Sequence, residues 1–313
     1  MPGRAVNIVC LIRAGLEMAV FRSLFFAFSH MPRRLFLAFS NFLGGLAFRF
    51  ARTHRRVALA NLDLAFGGTM TEEKKRAVAL ASFRACFRGI LDFAWFSRNT
   101  ASRLEQLFRF DDSFEIYRRL SPVIVVTAHF GNWELLGQAG ALDGHPAVSV
   151  AAMLPNEWIN RFVTKLRERN GLVIIPREGA IRVLLKTLRE GGRVALVMDQ
   201  NTRLSEGGVF VRFFGKPVSM SPAAALLSVR TGAPIVPVFS LTLPDGSYRG
   251  YVGPVLRPGA DGSVMDLNQR IAGSFEAEIR KHPEQWLWMY RRWKYVPPSG
   301  RPEDFPFYAH KAT

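Results

Sequence analysis

In the stretch SPVIVVTAHFGNWELLG (Ser121 to Gly137) a run of buried-type β residues ends at His129, and Glu134 follows after four intervening residues. An imidazole with a nearby carboxylate can act as a general base whose tautomer and charge the carboxylate controls. No G-x-S-x-G elbow and no cysteine lies near the pair in the sequence, so a covalent enzyme intermediate is not indicated. A His–carboxylate dyad without its own nucleophile suits direct transfer, in which the base activates a hydroxyl of the acceptor and that hydroxyl attacks the donor. The same letters also fit a strand-end histidine followed by a glutamate well placed for the helix dipole, with no chemistry at all.

The elements around the pair decide between these readings. Val123–Thr127 reads as a strand, Gly131-Asn132 as the turn after it, and Asn132 as the N-cap of a helix. In a doubly wound sheet ligands bind beyond the carboxyl ends of the strands, where His129 would lie. Glu134, in the first helical turn, could then bend back and hold one imidazole nitrogen, leaving the other as the base. Asn132 could add an oxyanion donor beside the free N–H groups of the helix start, although capping explains it equally well. Arg167, Arg169 and Arg177 flank the run Leu172–Ile175 near the same expected edge and suit bidentate phosphate binding; a solvated helix face is the alternative for each.

From Ser121 onward the short β-branched runs Val123–Thr127, Val148–Ala152, Leu172–Ile175, Val194–Met198 and Ile235–Leu241 alternate with helical stretches such as Trp158–Arg169 and Ile181–Arg189. Gly191-Gly192 and Gly232 follow helical patterns, as stop signals should. This alternation predicts an α/β fold with a mostly parallel central sheet flanked by helices.

The region before it differs. Residues 1–60 are rich in Arg, Phe and Leu, with Glu17 their lone acid. The longest charge-free window, Leu35 to Phe48, is shorter than the ~20 residues of a spanning helix, so helices lying in the headgroup layer are expected, with a tilted span over residues 5–31 or soluble core helices as alternatives. No convincing signal peptide is seen, which places the basic flank on the cytoplasmic side. Thr69-Met70-Thr71-Glu72 matches a capping box ahead of a second amphipathic helix. The expected division is a membrane-associated helical region over 1–110, a catalytic-type α/β domain over 111–296 and a Pro-rich tail over 297–313.

Composition narrows the partners. Forty-two Lys and Arg against 25 Asp and Glu give a net charge of +17, which calls for an acidic partner. Nucleic acid is not the expected partner, because neither zinc-finger spacing nor an RRM-type aromatic signature is present and the arginines sit among long Phe/Leu runs. Cys10 and Cys86 make no disulfide framework, and the six scattered histidines offer no metal-ligand spacing, so no metal is expected.

The block AHFGNWE (Ala128 to Glu134) resembles the H-x4-D/E block of glycerolipid-type acyltransferases, in the form found in the bacterial lipid A biosynthesis (late, or secondary) acyltransferases. Further segments agree in order. RRVALANLDLAF (Arg55–Phe66) is similar to that family's R-x-x-x-x-N-L signature and VALVMDQN (Val194–Asn201) to the strand leading to its Asp. Gly207–Phe239 resembles its G…FFG-x-P…TGAP block, and HPEQWLWMYRRWK (His282–Lys294) its P-x-Q-W-x-W-x-x-R-R block.

The resemblance implies His129 and Glu134 as the catalytic pair, Asp199 as the family Asp, and Arg167, with Arg169 as rival, at its basic position. It implies no cofactor beyond an acyl thioester co-substrate, with acyl carrier protein or a CoA thioester as donor. The implied acceptor is an anionic glycolipid, either a lipid A precursor or a mannosylated phosphatidylinositol, at the cytoplasmic side of the cell inner membrane. Acyl carrier protein, lipid A phosphates and an anionic leaflet would all prefer a basic surface. Trp286, Trp288, Tyr290 and Trp293 either line a substrate site or pack the core. Tyr290 stands where many members have histidine. A non-catalytic basic membrane-binding protein is a third reading.

Overall fold

The computed structural model describes the backbone of residues 8–312 and the side chains of residues 13–312. The Cys10 side chain and the first residues of the 5–31 segment lie outside this range. The chain opens with four helices: α1 (Ile8–His30), α2 (Arg33–Phe50), α3 (Arg52–Phe66) and α4 (Glu72–Trp95). It continues through α5 (Thr100–Leu107), β1 (Phe108–Phe110), α6 (Phe114–Arg118), β2 (Val123–Thr127), α7 (Trp133–Leu142), β3 (Val148–Val150), α8 (Glu157–Glu168), β4 (Val173–Ile175), α9 (Ala180–Arg189) and β5 (Arg193–Val197). After a hairpin of β6 (Val209–Phe213) and β7 (Lys216–Met220) come α10 (Ala223–Thr231), β8 (Ile235–Thr242), β9 (Tyr248–Val252), α11 (Val264–Lys281), β10 (Tyr295–Val296) and β11 (His310–Lys311).

Seven strands form one sheet in the order β1-β9-β8-β2-β5-β3-β4, and every neighbouring pair is parallel except β8 with β9. All five residues of β2 are buried, because helices cover both faces, which is why its sequence is continuously apolar rather than alternating. One core cluster joins β2, β5 and β8 to α3, α4, α9, α10 and α11, and a second lies against α2, α5 and α7. The expected α/β sheet is thus observed, with its elements within one or two residues of the sequence reading. The strand β1, at the sheet edge, comes from a three-residue FRF run too short to show a period.

The N-terminal helices share this core. Phe48, Leu62, Val78 and Phe83 sit in the cluster of the sheet's inner strands, and no helix among the described residues is long and apolar enough to cross a membrane. The expected capping box is displaced: Thr71, not Thr69, caps α4 by accepting from Lys74 N at 3.3 Å. Gly67-Gly68-Thr69 forms a 3-10 turn after α3, and Glu72 is drawn instead to Lys75 at 2.7 Å.

Helix α4 backs the carboxyl end of the sheet. Its Ser82, Gly89 and Asp92, at helical spacing, meet Trp286, the Gly131 carbonyl region and Asn132 respectively. Asp92 is fully buried and is paired with Arg33 of α2, while the Tyr248 hydroxyl of β9 donates to its other oxygen. Arg33 also donates to the Gly246 carbonyl at 2.8 Å. Asp92→Ala leaves a largely buried guanidinium without its carboxylate and is expected to lower the unfolding free energy by about 3–5 kcal/mol, whereas Tyr248→Phe, which removes one hydrogen bond to that carboxylate, should cost about 1.5–3 kcal/mol. Urea titration of the two variants checks the ranking.

Candidate active site

Strand register creates the site. In the parallel pair β2–β5, Thr127 lies beside Val197, so the residues two positions further on, His129 and Asp199, emerge side by side at the carboxyl edge. His129 Nδ1 is 2.7 Å from Asp199 Oδ1, and the His129 backbone N–H donates to Oδ2 at 3.0 Å. The indole N–H of Trp286 donates to the same Oδ2 at 2.8 Å. With a carboxylate as its partner Nδ1 carries the proton, so Nε2 holds the free lone pair.

Asp199 is only 4% exposed. Burial alone would raise its carboxyl, but the His129 charge and the hydrogen bonds from His129 and Trp286 outweigh it and hold the group below the usual carboxylate range. For His129, burial works toward the neutral form, yet the Asp199 charge and hydrogen bond, with a further contribution from the Glu134 charge, leave the imidazole above its ordinary value.

Glu134 is not the group that holds the imidazole. Both its oxygens face Arg167, whose Nε donates to Oε2 at 2.9 Å and whose Nη2 donates to Oε1. The physical reason is twofold: Asp199 already fills the Nδ1 position, and the guanidinium fork of α8 matches a carboxylate's two oxygens. The expected Glu134–imidazole hydrogen bond is therefore replaced by a His129–Asp199 pair and a Glu134–Arg167 pair. Arg169 donates to the Ser97 carbonyl at 2.5 Å, and Arg177 lies exposed, 3.6 Å from Glu206, so neither joins the cluster. Both polar atoms of the Asn132 side chain have partners: Oδ1 caps α7 by accepting from Leu135 N at 3.1 Å, and Nδ2 donates to Asp92 at 3.4 Å.

Two neighbours went unnoticed in the sequence. Gln200 places its amide nitrogen 3.2 Å from His129 Nε2; its position directly after Asp199 is the signal that could have found it. Cys86 lines the same small cleft as His129, Trp133 and Leu287, together with Ser82 and Ala85 of α4. The spacing 82, 85, 86, 89, 92 is one face of a helix, but sequence alone does not say that this face backs the histidine. Burial pushes the Cys86 thiol up to about 11, which leaves it protonated and a poor nucleophile.

The turn itself admits only glycine. Gly131 has φ +56°, and a Cβ there would fall 1.6 Å from the Ser240 carbonyl oxygen; its N–H donates to the Gln285 carbonyl at 2.9 Å.

The sequence profile described as bacterial lipid A biosynthesis acyltransferase matches residues 13–295. The chain belongs to the bacterial lipid A biosynthesis acyltransferase family. It is 28% identical over 265 residues to the lipid A biosynthesis palmitoleoyltransferase of Escherichia coli, covering 82% of this chain and 83% of that one. The lipid A biosynthesis lauroyltransferase of the same organism is 25% identical over 271 residues, 84% of this chain and 85% of its own. A phosphatidylinositol mannoside acyltransferase of Mycolicibacterium smegmatis is 29% identical over 174 residues, and there the match spans just 54% of this chain and 56% of the relative.

The blocks that carry the family resemblance meet in space. Asn61, from the R-x-x-x-x-N-L segment, donates to the carbonyls of Trp288 and Tyr290, each at 2.8 Å, and accepts from the Tyr308 hydroxyl, which ties the C-terminal segment to α3. Trp286, Trp288 and Trp293 are all buried, and of these Trp286 alone reaches the Asp199 carboxylate. Tyr290 accepts from the Asn201 N–H at 3.0 Å and so fixes the segment after Asp199. Arg292, fully buried, donates to Asn201 Oδ1 at 2.8 Å and to the Ser219 carbonyl at 2.7 Å; burial pushes its guanidinium down to about 10, with the Asp199 charge opposing.

If His129 must be neutral to act, its raised pKa sets the acid limb of the pH–rate profile. Asp199→Asn removes the negative charge that raises it, so the limb is expected to move to lower pH while kcat falls by about 10²–10⁴-fold, the range for impaired general-base catalysis. Glu134→Gln should move the limb in the same direction by less. Initial rates across pH 5–9 check both.

Proposed function

We propose that this chain is a membrane-associated O-acyltransferase that moves a fatty acyl chain from acyl carrier protein to a hydroxyl, or hydroxyacyl, group of a lipid A precursor at the cytoplasmic face of the inner membrane. The observation that carries the reading is His129, held through Nδ1 by Asp199, with its Nε2 lone pair met, among the described residues, only by the exposed Gln200 amide and the residue itself lining a small cleft. The similarity to two lipid A acyltransferases over 82% and 84% of the chain supports the acceptor class.

In the proposed reaction Nε2 takes the proton of the acceptor hydroxyl as its oxygen bonds to the thioester carbonyl carbon. The carbonyl electrons move onto oxygen, then return as the C–S bond breaks, and the imidazolium gives its proton to the departing thiolate. Asp199 keeps the imidazole in the required tautomer and stabilises the imidazolium. Glu134 acts one step further out, adding negative potential at His129 and holding Arg167, whose remaining N–H groups can meet a phosphate. A protonated, half-buried Cys86 gives no reason to route the acyl group through a covalent enzyme.

Membrane association is supported by the outer helices. Leu16, Val20, Leu24 and Phe26 of α1, and Leu35, Phe42, Leu46 and Phe50 of α2, are exposed, and Arg13, Arg22, Arg34 and Arg49 are exposed among them. Apolar side chains interleaved with arginines on helices too polar to span fit insertion into an anionic headgroup layer. On this reading residues 1–110 supply the membrane contact, 111–296 the chemistry, and 297–313 a strap back onto α3.

The mannoside acyltransferase similarity favours a second reading, with acyl-CoA as donor and a mannosylated phosphatidylinositol as acceptor. Purified protein on anionic vesicles, offered each donor with each acceptor and analysed by mass spectrometry, separates the two. Acylation of the lipid A precursor from acyl carrier protein is the expected product, and acylation of the mannoside from acyl-CoA selects the second reading. His129→Ala should lower transfer at least about 10²-fold while co-sedimentation with vesicles is unchanged; full transfer by that variant would remove His129 from the mechanism.

A further inference from the structure

We infer that Gln200 is a further catalytic residue, whose side-chain amide first caps the base and then donates to the oxyanion of the thioester carbonyl. The inference rests on the reading of His129 as general base. Because Nδ1–H is committed to Asp199, the 3.2 Å contact at Nε2 has the Gln200 amide as donor and the imidazole lone pair as acceptor. An acceptor hydroxyl must donate to that same lone pair, so the amide gives way when it arrives.

Gln200 is built to move only at its side chain. Its neighbours on both sides are anchored: Asp199 is buried under three hydrogen bonds, and Asn201 is held by the Tyr290 hydroxyl at 3.0 Å and by Arg292 at 2.8 Å. The Gln200 side chain itself is exposed and, among the described residues, makes no other hydrogen bond. A short swing keeps its N–H close to Nε2, while the reacting carbonyl must come within about 3–3.5 Å of the hydroxyl oxygen bound there.

The alternative donor expected on that edge, Asn132, has both side-chain atoms engaged and is 2% exposed. In the balanced step the hydroxyl proton goes to Nε2, the O–C bond forms, and the carbonyl oxygen takes the negative charge. Gln200 donates a hydrogen bond to that oxygen without losing its proton, and C–S cleavage then restores the carbonyl. An uncharged donor suits this place, since it leaves the balance between His129, Asp199, Glu134 and Arg292 undisturbed.

The test compares wild type with Gln200→Ala, Gln200→Glu and His129→Ala in acyl transfer to a lipid A precursor from an acyl carrier protein thioester and, in parallel, from acyl-CoA. Gln200→Ala is expected to lower kcat by about 10²–10³-fold, the loss seen on removing one oxyanion donor, with little change in acceptor KM or in melting temperature. Gln200→Glu, similar in size but with no donor and a negative charge, should fall at least as far. If Gln200→Ala turns over within about threefold of wild type, or faster, while His129→Ala is inactive, the oxyanion role is overturned and the base assignment stands. If His129→Ala is itself fully active, the underlying reading fails and this inference with it.

Discussion

A buried carboxylate organises this molecule. Asp199 lies at the end of β5, sealed from solvent, and can remain charged there only because three N–H groups converge on it. The donors come from two distant parts of the fold: the backbone and imidazole N–H groups of His129 from the end of β2, and the indole of Trp286 from the C-terminal segment. An isolated buried carboxylate would cost several kcal/mol in desolvation. The strand register, the turn at Gly131 and the tryptophan block are thus mutually dependent, and the orientation of the histidine is their common product.

The two carboxylates nearest His129 each have a separate partner. Asp199 faces the imidazole, with the buried Arg292 close enough to feel its charge, and Glu134 faces Arg167 in a two-pronged pair. Asp199 sets tautomer and proton affinity through direct contact, whereas Glu134 acts on His129 only through space. One histidine with two acids invites the assumption that the nearer in sequence is the partner. Sheet geometry overrides that assumption, because strand ends two residues past a paired position are nearer in space than a helix turn five residues along the chain.

Helix α4 gives the site its floor and links it to the outer helices. Small residues at Ser82, Ala85, Cys86 and Gly89 let the helix approach the turn closely, and Asp92 then joins Arg33, Tyr248 and Asn132. The N-terminal helices are therefore part of the fold that holds the turn, sharing its core while presenting Leu and Phe side chains outward. A chain of this composition gains from both faces of the same helices, one packed on the sheet and one apolar and arginine-flanked.

Local chemistry determined what the sequence could show by itself. Continuous apolar runs meant strands covered on both faces, Gly and Asn punctuation marked the turn and the N-cap of α7, and the position of His129 beyond a buried strand placed it at the carboxyl edge. Those are properties of a few consecutive residues, and each matches the observed element to within a residue or two. Which strands lie side by side is not such a property. The pairing of Thr127 with Val197 brought Asp199, seventy residues away, to the imidazole, left Glu134 to Arg167, and set Gln200 beside Nε2, while the packing of α4 brought Cys86 to the cleft. It could not be read from the chain because parallel strands are joined by long crossovers, whose length leaves strand order open until the helices pack and only one arrangement buries the core.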